Sequence, residues 1–269
     1  MIAPDCPDAE PAGVRWIPPL TLPGPRQMAI DEWLLEAAGR PGGGAALRFY
    51  RWRRPTLSLG RHQRAIEDRW RALAAAGRLE LVRRPSGGGA VLHAGELTYA
   101  LVWPSPPRGR RAAYRLACRW LRSAFADLGL PLVFGSDRAD AGAAHCFSSS
   151  TPADLVHPDG TKRIGSAQLW RGGRMLQHGS ILIAPPPDLW REVFAVAPPP
   201  LPPLPVDGDG LIGRLRQSAE RLLPLAGPLR CRPLDAGEER LVAGREGRYR
   251  AVEPVAGVTS PEATIERAT

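Results

Sequence analysis

The sequence predicts an α+β fold, a mainly antiparallel or mixed sheet packed with helices. Strand-like apolar runs outnumber helical ones but intermix with them along the chain. Three consecutive strand-like runs are joined by tight-turn residues, and no internal repeat interrupts the pattern.

The elements follow in order. After a proline-rich lead, Met28, Leu34, Leu35 and Ala38 fall near helical spacing over 26–38, with Gly39 as a C-cap. Residues 47–52 and 56–59 read as short strands separated by Pro55. Ile66, Trp70 and Leu73 mark a short amphipathic helix ending at Gly77, and strands at 79–82 and 97–103 flank the cluster Gly87, Gly88 and Gly89. One long helix is expected at 111–128, because Ala117, Trp120, Leu121, Ala124, Phe125 and Leu128 share a stripe and Gly129 follows. Cys118 lies inside it and is expected to pack in the core. Strands at 153–157, 162–170 and 174–183 form an antiparallel meander through Pro158-Asp159-Gly160 and Arg171-Gly172-Gly173. The prolines at 185–187 and 198–205 read as an extended connector, and helices are expected at 211–223 and 238–249. This places one main core at 1–185 and a proline-rich connector with a helical C-terminal segment, 186–269, packed on it as a single domain.

Composition narrows the function. With 269 residues and 43% apolar content, the chain can bury a sizeable core. No bilayer-length apolar run or signal-like start is seen, so a cytoplasmic protein without a membrane partner is expected. The four cysteines, Cys6, Cys118, Cys146 and Cys231, are scattered, which argues against disulfides and a structural zinc. No histidine or carboxylate spacing indicates a metal, so none is expected. Net charge is +9, which suits an acidic partner, but arginine is spread over the whole chain. General compositional bias outweighs a nucleic-acid footprint in this reading, since no basic helix face is discernible. Lys162 is the only lysine among these basic residues. Either chance spared it, or the position needs a compact charge that can give up a proton, which guanidinium cannot.

Three segments carry candidate chemistry. The first runs Arg83, Arg84, Pro85, Ser86, Gly87, Gly88, Gly89 and on to His93. Its glycines let backbone N–H groups approach a phosphate or carbonyl oxygen, and the arginines beside it suit an anion. The second joins Cys146 to Lys162, Gly165, Ser166 and Ala167. A loop cysteine near a cation is a candidate nucleophile, but the residues alone leave Cys146 balanced between that role and packing. The third is Gln177, His178 and Gly179 at the start of a buried strand. His178 reads either as a general base or as a satisfied structural histidine.

Together these segments resemble the catalytic domain shared by lipoate-protein ligases, biotin-protein ligases and octanoyltransferases. The similarity includes Gln-Met-Ala-Ile-Asp-Glu at 27–32, Pro-Thr-Leu-Ser-Leu-Gly-Arg-His-Gln at 55–63, the glycine segment through His93, Lys162 with Gly-Ser-Ala-Gln at 165–168, and Gln-His-Gly-Ser-Ile-Leu at 177–182. The resemblance implies a core like that of class II synthetases, with the glycine segment bordering an acyl pocket. Cys146 followed by Gly165-Ser166-Ala167 is similar to the octanoyltransferase branch, which implies acyl transfer through a cysteine thioester without ATP or another cofactor. The implied donor is an acyl carrier protein, and the implied acceptor is a lysine of a lipoyl domain or glycine-cleavage carrier. In that reading Cys146 and Lys162 are catalytic, Lys162 or His178 serves as base, and the other residues of the three segments bind substrate. The alternatives are an ATP-dependent lipoate or biotin ligase and a catalytically silent binding protein.

Overall fold

The computed structural model describes residues 13–135, 154–225 and 227–251. Strand β1 (Val14–Leu22) leads directly into helix α1 (Gly24–Ala37). Strands β2 (Ala46–Trp52) and β3 (Thr56–Leu59), helix α2 (Asp68–Ala75), and strands β4 (Glu80–Arg83), β5 (Val91–His93) and β6 (Glu96–Trp103) follow. Helices α3 (Arg110–Ala117) and α4 (Arg119–Asp127) precede β7 (Val133–Phe134), β8 (Asp154–Val156), β9 (Lys162–Arg171) and β10 (Arg174–Leu182). The last part carries α5 (Pro187–Phe194), α6 (Gly208–Leu222), β11 (Leu229–Cys231), α7 (Ala236–Ala243) and a 3-10 turn at Glu246–Tyr249.

The large sheet has the order β11-β1-β2-β6-β10-β9-β8-β7, and a small sheet has the order β4-β3-β5. Pairing is antiparallel from β2 to β7, whereas β11, β1 and β2 are parallel, as are β3 and β4. The expected α+β class with a mixed sheet is therefore the observed one. Side chains on alternate faces build two cores, one under α3, α4 and α6 and the other under α1 and α7. A third cluster fills the small sheet against α2 and α5.

The differences from the sequence reading have local causes. β1 was hidden by Pro18 and Pro19, which cannot donate to a ladder; they sit where the pairing with β2 shifts register between Ile17 and Leu20. The expected single helix at 111–128 is two, parted at Cys118 with φ −99° and ψ −3°. Pro187 starts α5 instead of extending a connector, because a helix's first turn has no use for the missing N–H. The expected helix at 238–249 is the shorter α7, closed at its start by a reciprocal Asp235/Glu238 capping box, plus the 3-10 turn. Cys231 is disulfide-bonded, contrary to expectation; spacing along the chain is blind to which strands the fold brings together.

The C-terminal segment is tied to the core by charge. Arg15 on β1 grips Glu238 of α7 through two bonds of 2.6 Å and also donates to the Pro233 carbonyl at 2.6 Å. Fully buried Arg163 on β9 holds the proline run through the Pro202 carbonyl, and burial pushes its guanidinium down to about 10.

The most deeply buried ion pair links α1 to β2. Arg48 Nε lies 3.0 Å from Asp31 Oδ1, with side-chain exposures of 1% and 0%. Breaking such a pair leaves the partner charge uncompensated in a medium that solvates it poorly. Arg48→Met is expected to destabilise the protein by about 3–5 kcal/mol, read from urea unfolding midpoints at constant slope.

Candidate active site

Asp31 projects from the buried face of α1 into the centre of the α1 side of the large sheet. Its Oδ2 accepts from Tyr50 Oη at 2.9 Å and from His178 Nδ1 at 2.8 Å. The Tyr50 hydroxyl is held well above its ordinary pKa by burial and by the Asp31 charge, so it remains a donor. With Asp31 accepting from Nδ1–H, the His178 ring turns Nε2 to Ser86 Oγ, 2.5 Å away. A buried chain Asp31–His178–Ser86 thus runs from helix to sheet to the head of the glycine turn.

A second chain lies on the small sheet. Ser58 Oγ is 2.8 Å from His93 Nε2, and His93 Nδ1 is 3.4 Å from Glu96 Oε1. Trp52 stacks on the His93 ring at 3.9 Å. Glu96 also accepts from Thr98 Oγ1 and Ser180 Oγ. Burial lowers the His93 pKa; Glu96 opposes this, while Arg84 and His178 reinforce it.

The two arginines beside the glycines spend donors inward. Arg84 donates to the carbonyls of Ser58 at 2.7 Å, Gly87 at 2.7 Å and Gly89 at 2.7 Å. Arg83 donates to the carbonyls of Gly60 at 3.1 Å and Gln63 at 2.5 Å. Both therefore brace the turn's backbone. Gly60 must be glycine for the turn to seat, since a Cβ there would lie 1.9 Å from the Gly88 carbonyl oxygen. A Cβ on Gly87 would meet no heavy atom within 4 Å, so the turn opens onto free space at that point.

On β10 the three candidate residues do not face one way. His178 faces α1, whereas Gln177 and Gly179 face α3 and α4. Gln177 donates to Tyr99 Oη at 2.8 Å and to Cys118 Sγ at 3.3 Å, and accepts from Gln168 at 2.8 Å. Tyr99 Oη in turn meets Ser166 Oγ at 2.9 Å. Gly179 leaves room for this group, because a Cβ would come within 2.5 Å of Ser166 Oγ and 2.7 Å of Tyr99. Cys118 is buried as expected, and burial pushes its thiol up to about 12, too high for a thiolate nucleophile.

Lys162 starts β9, three residues ahead of Gly165, and its ammonium lies 2.9 Å from Asp154 on β8. Asp154 is within electrostatic reach of Cys118 and Tyr114. β8, from Asp154 where the described residues resume, pairs with β9 over Lys162 to Gly165. Gly165, Ser166 and Ala167 pair directly with Ser180, Gly179 and His178.

The structure thus brings Ser86 to His178, His93 to Arg84 through Ser58, and Gly165–Ala167 alongside the polar part of β10. Cys146 lies outside the described residues. Sequence reasoning quoted Asp31 and Ser58 only within matching segments, without a site role, and did not single out Glu96 or Asp154. Asp31 and its neighbour Glu32 are both buried in the helical stretch Met28 to Leu35, whose other residues are apolar, and carboxylates at such positions are the signal that could have exposed Asp31.

Comparison with known proteins adds to this geometry. The family model of the lipoyl protein ligase A/B catalytic domain matches residues 23–198. The octanoyltransferase LipM of Symbiobacterium thermophilum is 40% identical over 170 residues, 60% of this chain and 62% of that protein. The octanoyltransferase LipM of Carboxydothermus hydrogenoformans is 39% identical over 175 residues, 63% of this chain and 64% of that protein. The matches therefore span less than two thirds of these relatives' length. Among solved structures, a lipoate protein ligase from T. acidophilum with bound lipoic acid superposes with a TM-score of 0.73 at 21% identity, covering 88% of this chain and 95% of that one. At that identity the likeness concerns the fold.

The His93 shift gives a pH dependence with a definite sign. Its folded pKa lies below its unfolded value near 6.5, so the unfolded chain takes up the proton first as pH falls. Stability is fully present above about pH 6.5 and declines below it by up to about 1.4 kcal/mol per pH unit. His157, depressed by burial and by Arg163, acts in the same direction. Denaturant melts between pH 7.5 and 5.5 are expected to show this loss, and His93→Gln to show a smaller one.

Proposed function

The chain belongs to the lipoyl protein ligase A/B catalytic-domain family, and we propose that it transfers a medium-chain acyl group, octanoyl, from a carrier thioester to a lysine of a lipoyl-type domain. The observation that carries this reading is the sole lysine, Lys162, buried and ion-paired to Asp154 at the head of the strand bearing Gly165, Ser166 and Ala167. The identity with proteins named as octanoyltransferases supports transfer over ligation.

In this proposal the Cys146 thiolate attacks the octanoyl thioester carbonyl, and the carrier leaves as its thiolate, which takes a proton from solvent. One thioester replaces another, so the step needs no nucleotide. The acceptor lysine, as free amine, attacks the new thioester; an amide forms and the Cys146 thiolate departs. The amine proton passes to a base, either Lys162 or His178, and returns to the thiolate. The Lys162 ammonium polarises the carbonyl, and backbone N–H groups near Gly165 and Ser166 receive the developing oxyanion. The acyl chain lies in an apolar slot bordered by Ser86, Gly87, Gly88 and Gly89. Arg83, Arg84 and His93 hold that turn in shape, and Gln177 and Gly179 keep Ser166 and Tyr99 placed. The donor is an acyl carrier protein, the acceptor a lipoyl domain or glycine-cleavage carrier, and the cell compartment the cytoplasm. No described helix is long and apolar enough to cross a membrane.

Incubation with octanoyl-acyl carrier protein and no nucleotide is expected to add one octanoyl mass to the protein, and Cys146→Ser to abolish the adduct. Loading that persists in that variant, or that requires ATP, would contradict the scheme. Lys162→Arg keeps the charge but not the compact geometry or the ability to deprotonate; turnover is expected to fall at least about 100-fold with unchanged thermal unfolding.

A further inference from the structure

The helices that close the large sheet on its Cys118 side carry an unusual outer face. Between Leu97 and Ala126 the sequence has six arginines, Arg108, Arg110, Arg111, Arg115, Arg119 and Arg122, and no acidic residue. The fold gathers the first five onto the exposed surface of α3, its preceding turn and the start of α4. The sequence reading found no basic helix face, because the helical period that assembles one spans a break at Cys118.

This arrangement works against the helix that bears it. Arg110 and Arg111 stand in the first turn of α3, where the helix dipole disfavours cations, and that turn has no acidic residue. Arg111 and Arg115 are like charges one turn apart. Arg115 and Arg122 lie over the Phe134 ring, at 4.9 Å and 5.1 Å, which holds their side chains in place. Among the described residues Arg108, Arg110, Arg111 and Arg119 form no ion pair. Elsewhere on the surface some arginines are matched, as in Arg221 with Asp127, Arg78 with Glu192 and Arg216 with Glu220, while others such as Arg53, Arg61, Arg64 and Arg214 form no ion pair among the described residues.

The inner face of the same helix bears Tyr114 and Cys118, both within electrostatic reach of Asp154, the partner of Lys162. The cationic surface is therefore the outer side of the helix whose inner side chains feel that pair.

We propose that this face, Arg108, Arg110, Arg111, Arg115 and Arg119, is the docking surface for the acidic carrier protein that brings the acyl thioester. The assignment rests on the transfer reading above for the identity of the partner. Charge complementarity with a strongly acidic carrier supplies the orientation and encounter rate. A nucleic acid is the competing occupant and is distinguished by experiment.

The test uses the full chain with Arg110→Glu/Arg111→Glu/Arg119→Glu, and a milder set carrying glutamine at the same positions in case the reversal disturbs folding. Binding of octanoyl-acyl carrier protein is titrated directly, and transfer is assayed from that carrier and from octanoyl-pantetheine, which has no protein surface. The expected result is about a tenfold or greater loss of carrier affinity in the reversal set, a smaller loss in the glutamine set, and unchanged transfer from octanoyl-pantetheine. Wild-type carrier affinity in both sets overturns the proposal. So does a labelled single-stranded oligonucleotide that binds the wild type and is lost by the variants while carrier binding is not. Carrier binding that depends on these arginines, without transfer from either donor, upholds the surface and removes the transfer reading instead.

Discussion

A carboxylate with no solvent access must be met on every side by donors or cations, and Asp31 is met by three side chains from two strands. Arg48 and Tyr50 reach it from β2, and His178 reaches it from β10. Through His178 the same constraint extends to Ser86. Helix α1, the sheet centre and the glycine turn are consequently not independent elements. The polar groups involved are all buried, so each bond is set against a desolvation penalty that water cannot relieve.

The glycine turn itself has little side chain with which to hold a shape. Its geometry comes from neighbours: Arg84 collects carbonyls on the inside, the Gly60 backbone closes against Gly88, and Ser86 is hooked to His178. Such a frame leaves the Gly87 side open for a ligand while the rest is fixed. Preorganisation of this kind is what a site needs if backbone groups are to meet a substrate without reordering when it arrives.

Legibility in the sequence followed the range of the forces at work. The β8–β10 meander was readable because its joints are local: Gly160, Gly172 and Gly173 all have positive φ, which their turns require. α1 was readable from its apolar spacing and the glycine after it. β1 and α5 were not, since proline signals a break unless one knows that the register shifts at Pro18 or that Pro187 is a first-turn residue. The arginines at 83 and 84 were read by adjacency to glycine as anion holders, yet besides the glycine turn their bonds run to Ser58, Gly60 and Gln63, twenty or more positions away. Asp31 and Asp154 likewise acquire meaning only through partners on other strands.

The dependence of the glycine turn on Asp31 is measured most directly by a double-mutant cycle on unfolding free energy, with Asp31→Asn and Ser86→Ala made singly and together. These residues are joined through His178. The account predicts a coupling energy of about 0.5–3 kcal/mol, the range for members of one hydrogen-bonded network. Single effects that add to within about 0.3 kcal/mol would mean that the turn is held without the carboxylate, and the account would be wrong.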